Sequence, residues 1–103
     1  MNITLTPDAN AEIRRFIAAC ESTGEGPFVA SLGFCLRSPS EGGDFEVNGI
    51  TGFWDVGGDL LASVPSEHVH HIAGVRLLVE PTVFSAALLG RTLNFDGDRW
   101  HVY

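Results

Sequence analysis

Soft-donor side chains are the main chemical resource of this sequence: two cysteines, Cys20 and Cys35, and four histidines, three of them crowded into Glu67-His68-Val69-His70-His71. Thiolate and imidazole both bind iron, zinc or copper. For the histidine run the outcome turns on local structure: on a strand His68 and His70 share a face, whereas on a helix Glu67 and His71 do. Neither spacing completes a catalytic signature such as His-Glu-x-x-His, and the plainer reading is a solvated turn with incidental metal affinity. Asp96-Gly97-Asp98 looks like a fragment of a calcium loop, but the further oxygen donors and the distal glutamate are missing, and a hairpin turn accounts for it. No serine or cysteine occupies a recognisable nucleophile turn, and there is no phosphate loop or dinucleotide fingerprint. The sequence points away from an enzyme.

The elements that must position these side chains can be read in order. Ile3 and Leu5 alternate with polar neighbours as a short strand does. Thr6-Pro7-Asp8 then supplies a capping hydroxyl, a proline suited to the first helical position and an acid for the positive end of the helix dipole. Ala9, Ile13, Phe16, Ile17 and Cys20 form one apolar stripe at helical spacing, so Cys20 is expected to pack inward as a small hydrophobe. Gly24 and Gly26 mark the end of that helix. Residues 28–36 are apolar and β-branched with a glycine among them, which predicts a buried strand with Cys35 near its end. Ser38-Pro39-Ser40-Glu41-Gly42-Gly43 reads as a loop. Asn48-Gly49, between Phe45-Glu46-Val47 and Ile50-Thr51-Gly52-Phe53-Trp54, signals a type I′ hairpin because both positions tolerate positive φ.

Gly57-Gly58-Asp59, like Gly42-Gly43-Asp44, is expected to be a turn. Residues 60–73 leave alternatives open, a strand at 60–64 followed by a turn or a helical start at Pro65-Ser66-Glu67. Residues 74–79 predict a strand that Glu80-Pro81 ends, residues 82–89 one or two helical turns closed by Gly90, and residues 92–103 a second hairpin about Asp96-Gly97-Asp98. The fold class is therefore α+β, mostly β with twisted antiparallel or mixed sheets and one N-terminal amphipathic helix. With 103 residues, 45% of them hydrophobic, the chain can bury one continuous core, and a single domain over 1–103 is expected.

Three stretches, in this order and spacing, carry a family resemblance: Ile3-Thr4-Leu5-Thr6-Pro7-Asp8-Ala9, Gly74-Val75-Arg76-Leu77-Leu78-Val79-Glu80, and Leu88-Leu89-Gly90-Arg91-Thr92-Leu93-Asn94-Phe95. Together they resemble the HesB-like (A-type) iron-sulphur carrier family across nearly the whole chain. Carriers of that family hold a cluster or iron with three cysteines, one at the end of an early strand and two as Cys-x-Cys in a C-terminal tail. Cys35 matches the first by position. Gly33-Phe34-Cys35-Leu36-Arg37-Ser38 replaces the glycine-bearing surroundings usual there, and no Cys-x-Cys follows before Tyr103. The resemblance thus implies iron-sulphur cluster or iron binding with a degenerate ligand set: Cys35 as the surviving ligand, His101, near where the tail would emerge, as a substitute, and a homo-oligomer to complete the site. A buried structural Cys35 and a His101 that merely partners its hairpin neighbours are the alternatives.

Charge bears on partners. Thirteen acids against six bases give a net charge of −7, and no Lys/Arg cluster occurs, so direct binding of nucleic acid or an anionic membrane is not expected. The N-terminus lacks the basic and apolar regions of an export signal, and no stretch approaches the roughly 20 apolar residues of a membrane span. A cytoplasmic location with both thiols reduced is the resulting expectation. A second functional reading is a non-metal domain on the same fold that binds another protein through an acidic surface and aromatics such as Phe53, Trp54 and Trp100.

Overall fold

The computed structural model describes residues 1–38, 40 and 42–103. Pro39 and Glu41, in the loop expected at 38–43, lie outside the described residues. The chain runs through strand β1 (Thr4–Leu5), helix α1 (Pro7–Glu21), strands β2 (Phe28–Arg37), β3 (Phe45–Val47) and β4 (Ile50–Leu60), two 3-10 turns at Leu61–Ser63 and Ser66–His68, strands β5 (Val69–Ile72) and β6 (Val75–Leu78), the single-turn helix α2 (Val83–Ala86), and strands β7 (Thr92–Phe95) and β8 (Trp100–Val102). Five strands form one sheet in the order β3-β4-β2-β6-β5, and three form another in the order β1-β7-β8. This is the expected α+β, mostly-β class. No helix among the described residues is long and apolar enough to cross a membrane.

Local chemistry starts α1 where the sequence predicts. The Thr6 hydroxyl oxygen accepts from the Ala9 amide at 3.1 Å and Pro7 occupies the first turn, a cap that contributes about 1 kcal/mol. The same hydroxyl donates to Asn94 Oδ1 at 2.5 Å, which fastens the start of the helix to β7. Ala9 and Ile13, fully buried on the inner face of α1, meet the interior formed by Leu77 of β6, Leu93 of β7 and Leu88 in the turn before it, all of them 0% exposed. Between β3 and β4, Asn48 and Gly49 have φ of 52° and 80°, as a type I′ turn requires.

Beyond these local signals the structure corrects one expectation and resolves the stretch that the sequence leaves open. Gly57-Gly58-Asp59 is no turn: the three residues lie inside β4, paired with Ser31, Ala30 and Val29 of β2. A Cβ on Gly58 would stand 3.0 Å from a Phe16 ring carbon and 3.2 Å from Cys20 Sγ, so the glycine serves the close approach of α1 to the sheet. Cys20 does pack inward, as the stripe predicts. Residues 61–63 form a 3-10 turn instead of a strand. Within the open stretch, residues 69–72 form β5, joined to β6 by a two-residue turn in which Ala73 (φ 49°) and Gly74 (φ 82°) both take positive φ. Alanine gives no sequence cue for that conformation. Helix side chains hold it from outside, Asn10 Nδ2 and Arg14 Nη2 donating to the Ala73 carbonyl at 3.0 and 3.3 Å.

Candidate functional site

Cys35 stands opposite Phe53 in the β2–β4 register. Because directly paired residues share a sheet face, Ser31, Gly33, Cys35 and Arg37 of β2 lie on one side with Phe53, Asp55 and Gly57 of β4. On the other side Phe34 packs against Phe45, Trp54 and Phe84 at ring-centroid distances of 5.9, 5.0 and 4.7 Å. The strand alternation therefore places a half-buried thiol on the outward face, with an aromatic cluster directly behind it. A Cβ on Gly33 or on Gly57 would meet nothing within 4 Å, which leaves this face bare between the two glycines. Cys35 lines a groove of about 540 Å³ that draws on both sides of the ribbon, with Ser31, Asp55 and Asp59 from the outward face, Phe34, Trp54 and Phe84 from the other, and Glu80 beside them. Ser31 Oγ donates to Asp59 Oδ2, and the Arg37 guanidinium lies 4.5 Å from the centre of the Phe53 ring.

His101 is in a different setting. Its Nδ1 lies 3.1 Å from Asp44 Oδ2 and its Nε2 2.7 Å from Asp96 Oδ2. Asp44 precedes β3 in the five-stranded sheet and Asp96 sits in the β7–β8 turn, so the imidazole on β8 bridges the two sheets. Asp96 also accepts from the amides of Asp98 and Arg99 at 2.9 and 2.8 Å through Oδ1. Those two backbone bonds first, and His101 after them, hold the Asp96 carboxyl down to about 2. With both ring nitrogens against carboxylates, His101 could ligate a metal only by releasing one of them. Cys35 and His101 do not line a common cleft among the five principal ones, and among the described residues no three His, Cys, Asp or Glu side chains are grouped to hold a metal ion.

The histidine run divides. His68 and His70 line one cleft, with Glu67 at the same opening. His71 faces the other side of the sheet, in a cleft with Arg14, Glu21 and Arg76. His68 ends the 3-10 turn and His70 lies on β5, so the run is neither all strand nor all helix, yet the two imidazoles share one cleft. Burial lowers the pKa of His70, and the positive chain terminus and His68 add to the effect.

The aromatics proposed for a binding surface are also corrected. Trp54 and Trp100 are 3% and 8% exposed and belong to the interior; only Phe53 of the three reaches solvent. Sequence reasoning missed Asp44 and Asp96 as the partners of His101. Asp96 carried a usable signal, since a hairpin about 96–98 brings it back toward residue 101, but Asp44 is 57 positions away and carried none. No family model matches the chain, and no curated protein and no solved structure does either.

Proposed function

We propose that the chain is a carrier-type protein that receives iron or an iron-sulphur cluster as cargo on the outward face of the β2–β4 ribbon, with Cys35 as its thiolate donor. The observation that carries this reading is the placement of Cys35: a half-buried thiol lining a groove beside Gly33 and Gly57, where the ribbon carries no side chain. The resemblance of residues 3–9, 74–80 and 88–95 to the HesB-like family supports it independently. A cluster takes about four ligands, and one chain offers a single thiolate there, so the cargo would sit between two copies that face one another across Cys35. The glycines flanking the thiol would let a second backbone approach closely. His101 enters this scheme as a further donor only if it leaves Asp44 or Asp96.

Anaerobic addition of ferrous iron and sulphide tests the reading. The expected product is a brown protein with thiolate-to-iron absorption, about one cluster per two chains, and a mass twice that of the chain. Cys35→Ser should remain colourless and Cys20→Ser should behave as the wild type. A wild-type protein that stays colourless would sink the proposal.

A second reading, a metal-free protein-binding domain, is favoured by one observation. Asp55, Asp59 and Glu80 border the same groove in a chain of net charge −7, which suits a basic segment of another protein. A colourless chain that captures such a partner equally well after Cys35→Ser would favour it.

A further inference from the structure

β4 is 11 residues long, but β3 pairs with its outer edge only from Ile50 to Gly52. Among the described residues no other strand takes up the edge beyond Gly52, the small sheet being closed off by β8 without pairing to it. The hairpin decides which backbone groups lie there. Val47 and Ile50 flank the two-residue turn and so exchange both their hydrogen bonds. Ile50 therefore points toward β3 and, by alternation, Val56, Gly58 and Leu60 point the same way, away from β2. The β2–β4 register runs without a bulge from Arg37 and Thr51 to Phe28 and Leu60, so the alternation is unbroken. These groups can be reached from outside: Gly57 and Gly58 are exposed, and the exposed surface of a glycine is backbone. Leu60 is 38% exposed. The Val56 amide donates to the carboxylate beside it, Asp55 Oδ1 at 2.9 Å, a local bond that an incoming carbonyl can replace. A row of such groups is a template for an added strand.

The two sides of this edge specify what the strand carries. On the outward side Asp55 and Asp59 are both exposed, and Glu80 borders the same groove. Side chains directly opposite one another in a sheet stand about 5 Å apart, so the residues that face the two aspartates should be basic. On the inner side the edge borders a cleft of about 470 Å³ whose apolar wall is Phe16, Val56, Phe95 and Trp100, and this side suits apolar residues. Glu12 in that cleft is already paired with Arg15 at 2.6 Å. Arg37, Arg99 and Asp98 also line it, the two arginines beside Phe53, so charge is mixed at that end and acidic from Asp55 to Asp59. A second copy of the chain does not meet these conditions. Two β4 edges paired about Gly57 would set Asp55 of each copy against Asp59 of the other, and like charges directly opposite destabilise a sheet.

We propose that the β4 edge from Val56 to Leu60 binds an extended segment of another protein in which basic and apolar residues alternate, the basic ones opposite Asp55 and Asp59 and the apolar ones toward Phe16 and Trp100. The inference rests on the second reading above, a basic protein partner, and adds the strand that receives it and the alternation it must carry. The probe is a capped octapeptide of four Arg-Val repeats, titrated into the full chain and followed by NMR. Saturable shifts and slowed hydrogen exchange are expected at the amides of Val56, Gly58 and Leu60. Alternate amides of an added strand face β4 and the rest face solvent, so N-methylation of one set, the valines or the arginines, should weaken binding at least about tenfold and of the other set less than about threefold. Asp55→Asn with Asp59→Asn should weaken binding about fivefold, and four Glu-Val repeats should not bind. Equal losses from the two methylated peptides, undiminished binding by the double variant, binding of the Glu-Val peptide as tight, or slow exchange of the three amides in a chain that dimerises without peptide would each overturn the proposal. An Arg-Val peptide that binds but shifts only other residues would overturn the edge and leave the second reading standing, whereas no binding of it anywhere would overturn both.

Discussion

The two faces of the β2–β4 ribbon share one backbone and differ in almost everything else. Behind it, Phe34, Phe45, Trp54 and Phe84 interlock and Gly52 lies under the Phe34 ring; in front, Gly33, Cys35 and Gly57 leave the strands bare. The inner face supplies the burial on which the fold depends, so every atom added or removed there should be felt. Between Gly33 and Gly57 the outer face supplies little of it, although Val29 at its far end is fully buried, so the residues there are free to be chosen for something other than stability. Candidate ligands show the same division: Cys35 stands on the idle face, whereas His101 is already occupied as a strut between the sheets.

Substitutions can test this contrast, beginning with the inner face. Trp54→Ala should lower unfolding free energy by about 4 kcal/mol, the usual range for emptying an aromatic site, as measured by urea denaturation. Gly52→Ala comes next, since its Cβ would lie 2.3 Å from the Cys35 carbonyl oxygen and 2.6 Å from a Phe34 ring carbon. A loss of about 3 kcal/mol is expected from such overpacking; a Gly52→Ala protein as stable as the wild type would mean that the two faces are not packed as differently as described.

The strut makes a pH-dependent prediction. The folded-state pKa of Asp96 lies below its ordinary 3.8, at about 2, so its contribution is fully present above 3.8 and fades as the pH falls through about 2. Denaturation midpoints measured across that interval should fall less steeply in Asp96→Asn than in the wild type. Equal slopes would remove Asp96 and its bond to His101 from the acid response. The smallest effect belongs to the outer face: Gly33→Ala should change stability by no more than about 0.5 kcal/mol, and a loss comparable to that of Gly52→Ala would show that the face is covered in solution, as by a second copy.

What the sequence disclosed follows the reach of each interaction. Thr6-Pro7, Asn48-Gly49 and Asp96-Gly97-Asp98 act through groups within a few positions of one another, and all three do in the structure what their residue types predict. Gly57-Gly58-Asp59 has the composition of a turn, yet its role is set by Phe16 and Cys20, about forty positions earlier in the chain. Trp54 and Trp100 looked like surface aromatics because the alternation of β4 and β8 could not be assigned an inner side until the sheets were assembled. For the candidate sites, residue type disclosed Cys35, His101 and the histidine run; the partners of His101 and the cleft beside His68 arise from contacts between distant segments.

One feature of the small sheet bears on how the molecule comes together during synthesis. β1 pairs in parallel with β7, Thr4 beside Thr92 and Leu5 beside Leu93, so β1 must wait during synthesis for a strand made nearly ninety residues after it. Until residues 92–95 emerge, Ile3, Leu5 and the capped end of α1 lack their cover, and the Thr6 hydroxyl lacks Asn94. Such a chain closes late and over a long loop, which slows folding and leaves apolar surface open to wrong partners in the meantime. Nascent chains halted before β7 should therefore be readily cut by protease near α1, and chains extended past β8 should resist.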